Sequence, residues 1–228
     1  MSDPTKAPNR APTRLKVAVL ISGRGSNMEA LIDACAQRDF PAEIVTVVSN
    51  RPDAKGLDRA REAGLSTQVI NHKNFTDRKS FEGALQAHLE ASGARLICLA
   101  GFMRLLTGQF VEKWRDRMIN IHPSLLPAFK GLHTHERVLE AGTRFHGCTV
   151  HFVRPEMDDG PIIAQACVPV MPKDDPDSLG ARVLAQEHRI YPLALRLVAE
   201  GRVTVRSGRA LIDSHPPDTA LLNPPISA

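Results

Sequence analysis

Apolar strand-like segments alternate along the chain with segments of helical periodicity, and this alternation restricts the fold more than any other feature. The strand-like segments are residues 16–21, 44–49, 95–100 and 118–121, and the helical segments are residues 27–37, 53–63, 77–91 and 178–200. Strands separated by helices are typical of a parallel sheet covered by helices. The sequence therefore predicts a Rossmann-like α/β fold, with a mostly parallel twisted sheet and helices on both faces.

Two later strand-like segments, 148–153 and 162–170, are joined by a short loop that contains glycine and proline. A parallel connection needs a crossover of a dozen or more residues, whereas antiparallel strands need only a short loop. We therefore predict a late antiparallel hairpin, which makes the sheet mixed.

The length of 228 residues fits one domain with short extensions. We predict a disordered tail at residues 1–15, a single domain at 16–208 and a proline-rich tail at 209–228. No apolar stretch reaches the roughly 18 residues of a membrane span, and the N-terminus has no secretory signal. The four cysteines form no Cys-x-x-Cys pair, so we expect reduced thiols and a cytoplasmic protein.

The formal net charge is +4, but the chain has no concentrated basic helix and only 4% aromatic residues. A nucleic-acid groove usually shows clustered basic residues. The charge therefore fits a small anionic substrate better than a nucleic acid.

A glycine turn connects the first predicted strand to the first predicted helix. It reads Gly23-Arg-Gly25-Ser26-Asn27, and an amphipathic helical segment follows. Backbone N–H groups at a helix N-terminus, together with the positive end of the helix dipole, form a ready site for a phosphate. Ser26 or Asn27 can also cap the helix. On its own, the segment fits a plain capped turn as well as it fits an anion site.

Other phosphate-binding loops match this turn less well. The third glycine of the dinucleotide fingerprint is replaced by Met28, and the second strand ends in Ser49-Asn50-Arg51, where an acidic residue would hold the ribose. No Gly-Lys-Ser/Thr follows the turn, so the Walker loop is absent. A monophosphate therefore fits best.

The run Met118 to Pro127 combines an amide and an imidazole at the end of a strand. Asn120 and His122 are two residues apart, which places both side chains on one face of an extended backbone. Pro123 ends the strand. This pair can stabilise an oxyanion, and Asp158, on the later hairpin loop, is a carboxylate that can orient and charge the imidazole. Taken singly, His122 and Asp158 also fit ordinary turn residues.

Together, these motifs resemble the folate-dependent formyltransferases over nearly all of residues 16–206. The resemblance rests on Ser22-Gly-Arg-Gly-Ser-Asn27, Ala100-Gly-Phe-Met-Arg104, the run Asn120 to Pro127, Gly131-Leu-His-Thr-His135 and Gln186-Glu-His188. It is closest to the branch that acts in de novo purine biosynthesis. That branch transfers the formyl group of 10-formyltetrahydrofolate to the amine of 5-phosphoribosylglycinamide (glycinamide ribonucleotide), giving formylglycinamide ribonucleotide and tetrahydrofolate.

The resemblance also implies the roles of individual residues. The catalytic residues would be Asn120, His122 as the acid and Asp158 as the carboxylate that keeps His122 charged. The substrate phosphate would bind Gly25, Ser26 and Asn27, and the ribose would bind Glu187. The folate would contact Arg78, Met103, Arg104, Leu105, Leu106, Asn120, Arg154, Pro155, Glu156, Met157 and Asp158. His133 and His135 have no third ligand at a recognised spacing, so we predict no metal.

One departure from the family and three rival functions remain open. Asp159 stands where bacterial members often have glycine, so it competes with Asp158 as the helper carboxylate. Methionyl-tRNA formyltransferases carry an extra C-terminal domain and formyltetrahydrofolate hydrolases an extra N-terminal one, and the chain length favours neither. A non-catalytic nucleotide- or folate-binding module would keep the Gly25 turn without needing the catalytic trio. We expect small-molecule substrates, a monomer or homodimer, and no nucleic-acid or membrane partner.

Overall fold

The computed structural model describes residues 13–213 and shows a seven-stranded sheet with a separate two-stranded hairpin. The sheet strands are β1 (Leu15–Ile21), β2 (Ala42–Ser49), β3 (Thr67–Val69), β4 (Leu96–Leu99), β5 (Met118–His122), β6 (Phe145–Phe152) and β7 (Ile162–Pro169). The hairpin consists of β8 (Val203–Arg206) and β9 (Arg209–Ile212). The helices are α1 (Ser26–Ala36), α2 (Gly56–Glu62), α3 (Arg78–Ala91), α4 (Gly108–Lys113), α5 (Thr134–Glu140) and α6 (Pro176–Ala199).

The strand order across the sheet is β3-β2-β1-β4-β5-β6-β7. The first five strands pair in parallel, whereas β5 with β6 and β6 with β7 pair antiparallel. The predicted mixed α/β sheet and its late hairpin are therefore confirmed. Strand order reverses direction between β1 and β4, and the loops that follow these two strands leave a crevice, which is where α/β sheets bind ligands.

Alternating side chains of β1 enter two separate cores. Val17, Val19 and Ile21 pack with residues of α1, α2 and α6 on one face. Ala18 and Leu20 pack with residues of α3 and α4 on the other face. A strand covered on both sides is apolar throughout rather than alternating in polarity, as the sequence of β1 is.

The long helix α6 joins the two sides of the crevice. It begins with a capping box, in which the Asp175 carboxylate accepts from the Ser178 amide and the Ser178 side chain accepts from the Asp175 amide. Further along, the buried Tyr191 hydroxyl donates to the carbonyl oxygen of Leu99 at 2.9 Å. Helix α6 is therefore tied to the end of β4, next to the site described below.

Several short elements were not predicted from the sequence, namely β3, α4, α5 and the β8–β9 hairpin. The domain boundary predicted at residue 208 falls between β8 and β9, so residues 209–212 belong to a paired strand rather than to a tail. Ala210 and Ile212 pack against the main core, which explains why this strand is part of the folded structure. The N-terminal tail predicted for residues 1–15 is also too long, because Leu15 belongs to β1 and pairs with Ala42. The tail predictions for residues 1–12 and 214–228 lie outside the described residues. No helix of the described part is long and apolar enough to cross a membrane.

Candidate active site

The glycine turn after β1 is compact because two backbone segments meet closely there. Gly25 has a φ of 79° and lies at the N-cap position of α1. A Cβ at Gly25 would lie 3.1 Å from the Gly56 Cα, and the Gly56 amide donates to the Gly23 carbonyl at 3.0 Å. Glycine is therefore required at position 25 both by backbone conformation and by space. The turn leaves the first amides of α1, from Ser26 onward, at the crevice.

Asn27 links the start of α1 to α6. Its Nδ2 donates to Glu187 Oε2 at 2.6 Å. Burial raises the pKa of the Glu187 carboxyl group, although the hydrogen bond from Asn27 opposes the shift. The Asn27 Oδ1 atom is buried and has no hydrogen-bond partner among the described residues. The structure thus brings together the residues predicted for the phosphate and for the ribose, and it leaves a polar atom for a ligand to satisfy.

The loop after β4 carries the predicted folate contacts on the other side of the crevice. Met103 and Leu105 are exposed by 66% and 61%, although both are large apolar side chains. Arg104 lies with its guanidinium carbon 5.7 Å from the centre of the Phe81 ring, and its buried Nε has no partner within the described residues. Exposed apolar side chains beside an unpaired polar group are typical of a site for a flat, partly polar ligand.

His122, at the end of β5, lies beside Asp158, which belongs to the loop after β6. His122 Nδ1 lies 3.5 Å from Asp158 Oδ2, and both side chains are largely buried. Asp158 has a φ of 52°, and its Oδ2 accepts from the Gly131 amide at 2.8 Å. His122 Nε2 lies 3.1 Å from the Phe129 carbonyl oxygen. Each ring nitrogen of His122 therefore faces an oxygen atom, one from a carboxylate and one from a backbone carbonyl.

A second imidazole, that of His151 on β6, was missed by sequence reasoning. Its Nδ1 lies 2.9 Å from the Phe152 carbonyl oxygen, and its Nε2 lies 3.3 Å from Asn120 Nδ2. Burial lowers the pKa of His151, so the neutral ring donates from Nδ1 and accepts the Asn120 amide at Nε2. This contact fixes the direction of the Asn120 side chain and leaves its second N–H free. Asp158 Oδ1 lies 3.8 Å from the same Nε2.

The structure separates the two neighbouring carboxylates of the loop. Asp158 faces His122, whereas Asp159 forms an ion pair with Lys130 and is half exposed. The alternative raised by the sequence, that Asp159 lies beside the imidazole, is therefore not what the geometry shows.

The remaining predicted folate contacts lie on two segments that border the crevice. Pro155, Glu156 and Met157 are exposed, and Pro155 lies beside Gly108 at the start of α4. Arg154 donates instead to the Asp116 carboxylate and to the Val153 carbonyl oxygen, so its guanidinium is already paired within the protein. Arg78 is exposed in the first turn of α3.

The two loop histidines face different surroundings. His133 is exposed and lies 3.4 Å from Glu136, whereas His135 Nδ1 lies 3.0 Å from His146 Nε2. Across residues 13–213 there is no group of three His, Cys, Asp or Glu side chains that could hold a metal ion.

Comparisons with known proteins agree with this arrangement. The model of the formyl transferase family matches residues 15–195. Phosphoribosylglycinamide formyltransferase of Escherichia coli (strain K12) is 44% identical over 201 residues, which cover 88% of this chain and 95% of that protein. The trifunctional purine biosynthetic protein adenosine-3 of Bos taurus is 52% identical over 192 residues, and the chain spans only 19% of its length.

Solved structures give the same result. Glycinamide ribonucleotide transformylase 1 from Symbiobacterium toebii matches with a TM-score of 0.85 and 46% identity, over 87% of this chain and 94% of that one. Formyltetrahydrofolate deformylase from Burkholderia mallei matches with a TM-score of 0.80 and 29% identity, over 89% of this chain and 71% of that one. The chain belongs to the formyl transferase family and, within it, to the phosphoribosylglycinamide formyltransferases.

Proposed function

We propose that the protein transfers the formyl group of 10-formyltetrahydrofolate to the amine of 5-phosphoribosylglycinamide, in de novo purine biosynthesis. The observation that carries the proposal is the cluster of Asn120, His122 and Asp158 at the same end of the sheet as two different candidate half-sites. One half-site consists of the amides of α1 beside Asn27 and Glu187, and the other is the exposed apolar loop after β4. An enzyme that joins a small phosphorylated amine to a larger flat donor needs such a two-sided crevice.

The residues on both sides fit the two substrates. Buried polar atoms without a partner are rare in proteins, and among the described residues they are Arg14 Nε, Asn27 Oδ1, Arg104 Nε and His188 Nε2. Two of these four belong to residues that we assign to the substrates. Gly25, Ser26 and Asn27 would hold the phosphate at the helix N-terminus, and Glu187 would hold the ribose.

The folate supplies a formyl carbon that is bonded to a leaving nitrogen. When the neutral amine attacks this carbon, negative charge develops on the formyl oxygen. Asn120 would donate its free N–H to that oxygen, and the charged His122 would stabilise it electrostatically. Asp158 would keep His122 protonated and assist the proton that moves from the amine to the leaving nitrogen. His151, which is neutral and fixed by the Phe152 carbonyl oxygen, would hold Asn120 in its donating orientation.

The folate contacts are assigned as in the family. Met103, Leu105 and Leu106 would cover the flat ring system, with Arg104 and Asn120 offering donors beside it. The loop of Pro155, Glu156, Met157 and Asp158 would close the opposite wall, and Arg78 would meet the anionic end of the folate. Arg154 would shape this wall through its pair with Asp116 rather than bind the ligand by charge. We further propose a cytoplasmic monomer or homodimer that acts on small molecules.

A direct assay tests this proposal. The purified full-length chain is mixed with glycinamide ribonucleotide and 10-formyltetrahydrofolate, and the formylated product and tetrahydrofolate are measured together. We expect equal amounts of the two products and no turnover when the amine substrate is left out. Release of tetrahydrofolate and formate without the amine would instead indicate a hydrolase, and binding of either ligand without turnover would indicate a non-catalytic module.

A further inference from the structure

The loop after β4 is held by buried side chains that have no assigned role in the reaction. Backbone pairing between β1 and β4 ends where the Ala100 amide donates to the Leu20 carbonyl at 2.9 Å. Gly101 then turns the chain away from the sheet with a φ of 73°. Beyond this point the loop is held by the side chain of the residue that follows β1, because the Met103 amide donates to Ser22 Oγ at 2.8 Å.

Ser22 also belongs to a buried hydrogen-bond network. Its hydroxyl donates to Asn50 Oδ1 at 2.5 Å, and both residues are almost fully buried. His72 Nδ1 lies 2.9 Å from the Asn50 carbonyl oxygen and 3.1 Å from Asn50 Nδ2. A protonated Nδ1 can donate to the carbonyl, and an unprotonated Nδ1 can accept from the amide. Asn50 is therefore held in either tautomer of His72, and the orientation of the Ser22 hydroxyl is fixed.

The other end of the loop is held in the same manner by α3. The buried Glu82 accepts from the Thr107 amide at 2.6 Å and from the Thr107 hydroxyl at 2.5 Å. Thr107 Oγ1 in turn accepts from the Phe110 amide and so caps α4. The segment that starts at the first anchor and ends before the second consists of Met103, Arg104, Leu105 and Leu106, which include the exposed apolar side chains described above.

We propose that Ser22 and Glu82 are positioning residues that fix the Met103 to Thr107 segment for folate binding. The inference rests on the proposed function, because it assumes that folate is the ligand of this loop. Neither residue touches the ligand in this account. Each acts by keeping a loop amide in place, and loss of either anchor would lower the fraction of molecules whose loop is ready to bind. Asn50 and His72 act through Ser22.

Steady-state kinetics of Ser22→Ala and Glu82→Gln test the inference. Leaving a partly buried amide without its partner reduces binding by about tenfold. We therefore expect the KM for 10-formyltetrahydrofolate to rise by about tenfold in Ser22→Ala, with kcat and the KM for glycinamide ribonucleotide changed by less than about twofold. Glu82→Gln keeps one acceptor and should show a smaller rise of the same kind. Ser22→Thr, which retains the hydroxyl, should restore most of the folate affinity.

Thr46→Val is the matched control. Thr46 is a buried polar residue of β2, and its hydroxyl contacts His88 on α3 rather than the loop. This variant should lower the melting temperature about as much as Ser22→Ala does, without changing either KM. The inference is wrong if Ser22→Ala leaves the folate KM unchanged, or if it raises both KM values together. Because Ser22 precedes the glycine turn, a selective rise in the ribonucleotide KM would assign it to the phosphate side instead.

The wild-type assay separates this inference from the proposed function. If the wild-type protein does not formylate glycinamide ribonucleotide, the proposed function fails, and the inference is then tested by fluorescence titration of the variants with tetrahydrofolate. If the wild-type protein is active and the variants bind folate normally, only the inference fails.

Discussion

The glycine turn after β1 presents backbone groups to the crevice, whereas the cluster around His122 presents side chains. The turn is built from a left-handed Gly25 packed against Gly56, and the amides that it exposes belong to the first residues of α1. The cluster is built from imidazoles and carboxylates on β5, β6 and the loop between β6 and β7. Both regions lie at the C-terminal ends of parallel strands in one sheet. Their recognition from the sequence depends on different kinds of information.

This difference predicts how each region responds to substitution. Most side chains in the turn can change without affecting the amides, provided that Gly25 stays. In the cluster, by contrast, His122, His151 and Asn120 lie within contact distance of Asp158 or of one another, and removal of one charge alters the neighbours that depend on it. We therefore expect substitutions in the cluster to reduce turnover and substitutions in the turn to reduce the affinity for one substrate.

The largest effect is expected for Asp158→Asn. This change keeps the shape of the side chain but removes the charge that faces His122 at 3.5 Å. General acid–base assistance contributes roughly 10²- to 10⁴-fold, so kcat should fall by about that factor, with little change in either KM. Asp159→Asn is the matched control, because Asp159 is half exposed and pairs with Lys130, and it should lose less than about twofold. A large loss in Asp159→Asn with none in Asp158→Asn would reverse the assignment.

The next effect concerns the stability of the fold at low pH. Near the cluster around His122 the protein also contains the buried imidazole of His146. Burial, together with the nearby His135 and His122, lowers the pKa of His146 from 6.5 to about 4. Between these values the unfolded chain binds a proton that the folded chain does not, so stability falls as the pH falls from about 6.5 to about 4. The loss should reach about 1–3 kcal/mol, measured by urea unfolding at pH 7.5 and 5.

His146→Gln should make the stability less dependent on pH across that window. The matched control is His133→Gln on the same side of the molecule, since the His133 side chain is 74% exposed. It should keep the wild-type pH dependence. If the His146 variant also keeps it, the acid sensitivity originates elsewhere.

In the glycine turn after β1, Gly25→Val should weaken binding of the ribonucleotide. The new side chain meets the Gly56 Cα and requires a backbone conformation that β-branched residues avoid. Loss of the helix N-terminal contact to a phosphate is worth about 1.4 kcal/mol, or roughly tenfold. We expect the KM for glycinamide ribonucleotide to rise by at least that factor, while the folate KM stays nearly constant.

Gly23→Ala is the control for this change, because a Cβ at Gly23 meets nothing within 4 Å and its φ is not positive. It should behave like the wild type. If Gly25→Val instead loses folate affinity and keeps the ribonucleotide, the two half-sites have been assigned the wrong way round.

The same comparison explains which features the sequence could predict. The glycine turn is local, so Gly25, Ser26 and Asn27 were recognised from a strand, a turn and a helix that follow one another. The spacing of Asn120 and His122 is also local, because strand geometry alone places both on one face. His151 was missed because only the antiparallel pairing of β5 with β6 sets it opposite Asn120. Gly56 was missed for the same reason, since it meets Gly25 only in three dimensions.

Other details depend on competition between nearby groups. The sequence could not decide between Asp158 and Asp159, because the choice depends on two donors that only the fold brings to them. Lys130 donates to Asp159, and the Gly131 amide donates to Asp158. Arg154 was predicted as a folate contact from the family resemblance, and a sequence does not show which carboxylate an arginine meets. Its pair with Asp116, 38 residues away, is formed by the tertiary fold. The short helices α4 and α5 have only six or seven residues, too few for a clear helical period.

The smallest effect is expected for a region that belongs to neither half of the site. Strand β9 pairs with β8, and Ala210 and Ile212 pack against the main core. A chain that ends after Asp213 should keep the wild-type melting temperature and both KM values, because the remaining residues are rich in proline and poor in apolar anchors. A chain that ends after Gly208 loses β9 and should be less stable by about 1–2 kcal/mol, measured by urea unfolding, with turnover nearly unchanged. The two truncated chains together locate the end of the domain. If they are equally stable, the domain ends before β9, as the sequence suggested. If the chain that ends after Asp213 is less stable than the wild type, residues 214–228 belong to the folded domain.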